Sequence, residues 1–178
     1  MIFIEKSTKN RSFPLKPLTV IPPLFVMGLI FYLSGQNQLV SGNLSYPVTN
    51  ELVSWFDRVF SLGLSHEQLL YYTDLYHFAV RKMGHMAIFC LLSMTLYVPL
   101  NAYKIPHPYP VDWVICILYA CLDEFHQHFS QGRTPSAFDV LVDSIGALIG
   151  LFAISLFLIV LHRFLLYTER KKALRRQP

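Results

Sequence analysis

The chain has 178 residues, which suits one domain, and 53% of them are hydrophobic while only 15% are charged. Soluble domains usually carry about a quarter of charged residues, so this composition points away from an ordinary soluble protein. The formal net charge of +4 requires no nucleic-acid partner, because most basic residues lie in tails that suit anionic lipid headgroups.

Four long apolar blocks predict an all-α protein, an integral membrane bundle of about four transmembrane helices. The blocks are 18–33, 85–100, 111–122 and 140–161. A bilayer core about 30 Å thick needs about 20 helical residues to cross it, a length that the fourth block reaches alone. The first block must begin near Pro17, so that Pro22 and Pro23 fall inside the helix or shift its start. The second and third reach full length only by including Lys82 or Glu124.

The distribution of lysine and arginine predicts that both termini are cytoplasmic. Four of the 15 basic residues fall in predicted outer segments, namely Arg58, Arg81, Lys82 and Arg133, and the others lie in the tails or at Lys104. The positive-inside rule places the richer side in the cytoplasm, which requires an even number of crossings. The chain then divides into a basic N-terminus (1–17), a membrane domain (18–162) with an outer loop (36–81), and a basic tail (163–178). A cleaved signal peptide is not expected, because no small-x-small site follows the first block.

The outer loop is expected to contain helical structure. Apolar residues at i, i+3, i+4, i+7 and i+8 form one helix face: Leu52, Trp55, Phe56, Val59 and Phe60. Such a face is typical of a helix in the headgroup plane or of a soluble helix packed on its own loop, and the sequence favours neither. Ser65 and Gln68 then form a capping box for a helix that continues into the second span.

Polar residues from distant segments are expected to meet at the outer ends of the spans. They are Ser34 to Gln36, Arg81 to His85, Asp123 to His128, Gln131 to Ser136, and Asp139 with Asp143. Asp139, Asp143, Gly146 and Gly150 form one helical stripe, and its G-x-x-x-G spacing permits close helix approach. This stripe should face the bundle and take both aspartates inward.

Asp123 and Glu124 are adjacent in the chain, so only one of them is expected to face the bundle. Asp123 is then expected to be a solvated residue at the helix end. Ionisable residues within spans are costly and commonly mark function. A metal site from His85, His128, Glu124 and Asp143 can be drawn, but no H-E-x-x-H or comparable motif supports one. We therefore predict no metal, and the cofactor stays unknown. The three cysteines lie in predicted spans and are expected to be apolar fillers without disulfides.

Several motifs resemble those of the VanZ-like family of membrane proteins. They are Ser-Gly-Gln at 34–36, Arg-Lys-x-Gly-His at 81–85, Asp-Glu-Phe-His-Gln-x-Phe at 123–129, and Gly-Arg-Thr-Pro-Ser-x-x-Asp-Val-x-x-Asp-x-x-Gly-x-x-x-Gly at 132–150. Together they span about two thirds of the chain. The resemblance implies a protein of the bacterial cytoplasmic (inner) membrane. The name-giving member is associated with low-level resistance to teicoplanin, a glycopeptide, but the family settles no molecular mechanism.

These observations predict a protein that binds or modifies an anionic, lipid-linked cell-envelope ligand at the outer leaflet. The candidate residues are catalytic Glu124 and His85, ligand-binding Lys82, Arg133, Gln36 and Gln127, and supporting Asp123, Asp139, Asp143 and His128. Membrane lipids are the expected partners. A first alternative is a non-catalytic structural protein whose polar cluster only stabilises the bundle. A second is a small-solute transporter subunit, for which four spans are few, so that it would need a homo-oligomer.

Overall fold

The computed structural model describes residues 16–36, 38–129 and 136–175, and every regular element among them is helical. After a short 3-10 helix (Pro17–Val20) come α1 (Ile21–Ser34), α2 (Gln38–Phe60), α3 (His66–Ala102), α4 (Pro108–Gln127) and α5 (Ala137–Arg175). The predicted all-α class is confirmed. Arg133 and most of the predicted basic N-terminus lie outside the described residues.

Three segments within the described ranges are long and apolar enough to cross a membrane: Pro17–Ser34, His66–Ala102 and Ala137–Thr168. Large apolar side chains such as Phe25 and Phe152 are about 70% exposed on their outer surfaces, which suits contact with lipid. The chain is therefore a membrane protein. The 20 residues of α4 do not qualify by composition, because Asp112, Asp123 and Glu124 interrupt the apolar run.

The helix starts follow from local sequence. Pro22 and Pro23 occupy the first turn of α1, where backbone N–H groups have no partner within the helix and proline costs nothing. They therefore shift the helix start, which was one of the two outcomes expected. At α3 the capping box is confirmed: the backbone N–H of Gln68 donates to Ser65 Oγ at 3.3 Å, and Ser65 N–H donates to Gln68 Oε1 at 2.9 Å.

Four helices share one core, and α1, α3, α4 and α5 each contribute to it. Its buried members are Val26, Ile30, Phe89, Leu92, Cys116, Ala120 and Ala147. Contacts pair the end of α1 with the end of α4, since Ser34 Oγ donates to Asp123 Oδ2 at 2.9 Å. They also pair the start of α4 with the later part of α3, where Ser93 Oγ donates to Asp112 Oδ1 at 2.7 Å. Helices α1 and α4 therefore run in the same direction, and α3 runs opposite to α4.

Within the described ranges, α3 and α5 form the most extensive helix pair, and they run parallel although α4 separates them in sequence. Gly146 and Gly150 make this closeness possible. A Cβ at Gly146 would overlap the carbonyl oxygen of Met86, and a Cβ at Gly150 would overlap that of Cys90. The expectation that this stripe faces the bundle is confirmed for both glycines and for Asp143, which is 1% exposed.

Helix α2 contains the apolar helix face that was predicted within the loop 36–81, and it packs on the N-terminal half of α3. The hydroxyl of Thr73 donates to Asn50 Oδ1 at 3.3 Å, which links the two helices. The five apolar residues of the predicted face are 43 to 62% exposed. That face therefore does not pack on its own loop, and it remains available to a membrane surface.

Candidate functional site

Polar side chains from α1, α3, α4 and α5 meet where α1 and α4 end and α5 begins. We call this group the outer polar cluster, after the side of the membrane that the sequence predicts for it, and define it by Ser34, Gln36, His85, Asp123, Glu124, Gln127 and Asp143. Five of these are less than 10% exposed, namely Ser34, Asp123, Glu124, Gln127 and Asp143. Burial of so many polar groups requires partners within the protein or a ligand.

Asp123 is buried at 4% exposure, so the expectation that it is a solvated end residue is wrong. Its Oδ2 accepts hydrogen bonds from Ser34 Oγ at 2.9 Å and from Gln127 Nε2 at 2.7 Å. Both adjacent acids can face protein because α4 has neighbours on several sides. Asp123 points toward α1, while Glu124 points toward the start of α5.

Glu124 is 6% exposed, and its Oε2 accepts a hydrogen bond from the backbone N–H of Ser136 at 2.8 Å. This bond fixes the chain just before α5. Arg81 also lies close enough to attract Glu124 electrostatically. Glu124 thus has an acceptor role that orders the entry into α5 and a nearby cation on α3.

His85, Asp123 and Asp143 come together in the middle of the outer polar cluster. One ligand-type atom from each, a ring nitrogen or a carboxylate oxygen, lies within 4.8 Å of the others. Among the described residues no hydrogen-bond partner reaches Asp143 Oδ1 or Gln36 Oε1, although both atoms are buried. The cluster therefore contains acceptors that the described part of the protein leaves unsatisfied.

Lys82 forms an ion pair with Asp139 and also lies close enough to attract Asp143 electrostatically. Its ammonium also lies over the rings of Phe78, 4.7 Å away, and Phe138, 5.0 Å away. Phe78 belongs to α3 and Phe138 to α5, so Lys82 and Asp139 connect these two helices. The ammonium is held by this pair and by the two aromatic faces.

The remaining predicted residues are placed as follows. His128 caps the end of α4, is exposed, and lies next to Phe129 at a ring distance of 5.6 Å. It stands apart from the centre of the cluster. Arg133, a predicted anion ligand, lies outside the described residues. His126 stacks on Phe31, with the two ring centroids 4.0 Å apart.

A cavity of about 270 Å³ opens beside the cluster between α1, α2 and α3. Its lining is Ile30, Leu33, Ser34, Ser45, Val48, Val80, Arg81, Gly84, His85 and Ile88. Apolar side chains form most of the wall, while Arg81 and His85 supply polar groups from one side of α3. The cavity therefore suits a molecule with an apolar portion and an anionic one.

The sequence did not lead us to two buried or half-buried polar residues, Arg81 beside the cluster and Asp112 near the other end of α4. Arg81 was counted only for topology, although its position four residues before His85 puts both on one helix face. Asp112 was passed over inside the third apolar block. It is fully buried, and its Oδ1 accepts from Ser93 Oγ. A charged residue within an apolar block is itself the signal that could have identified it.

Comparison with known proteins gives a match to one protein family. Neither the curated proteins nor the solved structures contain a significant match to the chain. A family model described as VanZ/LLP1 matches residues 19–159, which includes α1, α2, α3, α4 and residues 137–159 of α5. The match covers most of the chain and every residue of the outer polar cluster. The chain therefore belongs to the VanZ/LLP1 family.

Proposed function

We propose that this protein binds or modifies an anionic lipid-linked ligand of the cell envelope at the outer leaflet of the bacterial cytoplasmic membrane. The observation that carries the proposal is the cavity beside the outer polar cluster. Its apolar wall suits an acyl or prenyl chain, and the guanidinium of Arg81 suits a phosphate or carboxylate.

The proposed membrane topology has four spans, α1, α3, α4 and α5, with both termini cytoplasmic; α4 is the one added to the three long apolar segments. Its support is the separation of faces on α4. Val114, Leu118 and Leu122 recur every four residues and are 50 to 61% exposed, while the acids of α4 are buried. The overall composition of α4 combines its buried polar face with its exposed apolar face, but lipid would contact only the apolar face. We place the exposed aromatic face of α2 at the outer headgroup level.

Within the site, Arg81 and Arg133 are proposed to hold the anionic group. Glu124 is the proposed acid or base, and His85, Gln127 and Gln36 orient the ligand. Lys82 was expected to bind the ligand. We propose instead that it connects α3 and α5, because its ammonium already pairs with Asp139. By analogy with the name-giving member of the family, the ligand is an envelope component whose binding reduces susceptibility to teicoplanin.

Lipid binding can be measured directly by native mass spectrometry of the full chain released from detergent. Phosphatidylglycerol is the anionic probe and phosphatidylcholine the zwitterionic one. We expect the wild type to retain phosphatidylglycerol preferentially and Arg81→Gln to lose most of that preference. Arg58→Gln is the matched control, since the Arg58 side chain is 67% exposed on α2 and should change nothing. Equal retention of both lipids, or equal loss in both variants, would refute the proposal.

The resistance link needs a separate experiment in cells. A glycopeptide-sensitive host expressing wild type, Arg81→Gln or Glu124→Gln is tested for teicoplanin susceptibility, with membrane abundance measured by immunoblot. Protection by the wild type that disappears in the variants at equal abundance supports a working site. Absence of protection by the wild type would contradict the link to teicoplanin.

A structural role is the second candidate, and specific contacts favour it. The Lys82–Asp139 pair and the bonds from Ser34 to Asp123 and from Ser136 to Glu124 each join two segments of the bundle. Under this interpretation Glu124→Gln lowers protein abundance and leaves the phosphatidylglycerol retention of the folded protein unchanged.

A further inference from the structure

Three potential metal ligands from three different helices converge in the outer polar cluster. A ring nitrogen of His85 on α3 and carboxylate oxygens of Asp123 on α4 and Asp143 on α5 lie within 4.8 Å of one another. Ligand atoms about 2.1 Å from a tetrahedral ion are about 3.4 Å apart. A modest side-chain rotation therefore brings all three onto one ion.

The Asp143 side chain gives independent support. It is 1% exposed, and its buried Oδ1 has no hydrogen-bond partner among residues 16–36, 38–129 and 136–175. A buried acceptor without a donor is normally a destabilising feature. A cation bound between Asp143, Asp123 and His85 would satisfy this atom.

The hydrogen bonds around Asp123 resemble those that orient metal ligands. Ser34 and Gln127 both donate to its Oδ2, at 2.9 and 2.7 Å. Such outer partners fix the direction of a ligating carboxylate and raise metal affinity. In the ligand set, one imidazole nitrogen and two carboxylates suit Zn²⁺ or Mn²⁺ better than Mg²⁺ or Ca²⁺, which prefer oxygen ligands throughout.

We infer that His85, Asp123 and Asp143 bind a divalent metal ion of the Zn²⁺ or Mn²⁺ class. Three protein ligands leave a coordination position for an outside oxygen atom. A phosphate or carboxylate of the lipid-linked ligand would fit that position, and this last step rests on the proposed function. The metal site itself does not depend on it.

The test uses the full chain purified in detergent without a polyhistidine tag and treated with EDTA. Isothermal titration with ZnCl₂, MnCl₂ and MgCl₂ should give one equivalent of Zn²⁺ or Mn²⁺ bound more tightly than Mg²⁺. Asp143→Asn and His85→Gln should each weaken binding by at least about 100-fold, since loss of an outer partner alone costs 10- to 100-fold. Asp112→Asn removes a buried carboxylate near the other end of α4 and should keep the wild-type affinity.

Thermal unfolding of each metal-free variant separates loss of the site from loss of the fold. If Asp143→Asn does not fold, His85→Gln decides, because His85 is only half-buried. No saturable binding of Zn²⁺ or Mn²⁺ by the wild type would overturn the inference, and a protein in which Arg133 neutralises the aspartates would give that result. Unchanged affinity in the folded variants would overturn it as well. Lipid retention is measured separately, so failure of the proposed function is distinguishable.

Discussion

Replacing Gly146 by alanine should destabilise the protein through the contact between α3 and α5. The new methyl group would meet the backbone carbonyl of Met86, and a backbone atom cannot rotate away as the end of a side chain can. The two helices must separate, and overpacking of this kind costs about 1–3 kcal/mol. At about 2–4 °C per kcal/mol for a chain of this size, Tm should fall by between about 2 and 12 °C.

The assay follows the reaction of Cys116 with a thiol-reactive fluorophore during heating in detergent. Cys116 is completely buried and reacts only when the bundle opens. Cys90 and Cys121 are replaced by alanine beforehand, because they are half-buried and exposed. The increase in fluorescence on heating then reports unfolding of the core that α1, α3, α4 and α5 share.

Gly28→Ala is the matched control for this measurement. Gly28 lies on the exposed side of α1, and a Cβ there meets nothing within 4 Å. Alanine favours a helix interior over glycine by about 0.5–1 kcal/mol, so Tm should stay the same or rise slightly. Equal effects of Gly28→Ala and Gly146→Ala would refute the argument that backbone proximity, and not glycine as such, matters at α5.

Three further predictions concern other parts of the chain. A double-mutant cycle of Lys82→Met and Asp139→Asn, read by the same thermal assay, should give a coupling of between about 0.5 and 3 kcal/mol, and additive effects would contradict the ion pair. Ser65→Ala should cost about 0.5–2 kcal/mol by loss of the helix cap, seen as faster hydrogen exchange in the first turn of α3, and unchanged exchange would contradict it. In a cysteine-free background, cysteines at Ile105 and Phe129 should react with a membrane-impermeant maleimide from opposite sides, and labelling from one side would refute α4 as a span.

The fold could be predicted well where one physical signal dominated. Apolar length identified α1, α3 and α5, and the Ser65 capping box located the start of α3. The spacing of Gly146 and Gly150 predicted a close helix contact. These features depend on local sequence or on one-dimensional periodicity, so no knowledge of neighbouring helices was needed.

The prediction for Asp123 failed because it depended on how many neighbours surround α4. Reasoning from one helix with one buried face allowed only one of two adjacent acids inside. A helix in contact with three others has buried positions over a wider arc, so both Asp123 and Glu124 fit inside. The tie between Lys82 and Asp139 depends on a similar three-dimensional fact, the parallel packing of α3 and α5, which the sequence does not state.

The contacts of the outer polar cluster divide its residues by the work they do. Ser34 with Asp123, Ser136 with Glu124, and Lys82 with Asp139 join segments, so each bond can stabilise the bundle without any ligand. The Oδ1 atom of Asp143 joins nothing among the described residues and is buried, which costs about 1–3 kcal/mol if no ligand satisfies it. Asp143 is therefore the residue whose replacement separates the two roles. Under the metal inference Asp143→Asn weakens binding of the ion, while the contacts that join the segments stay in place.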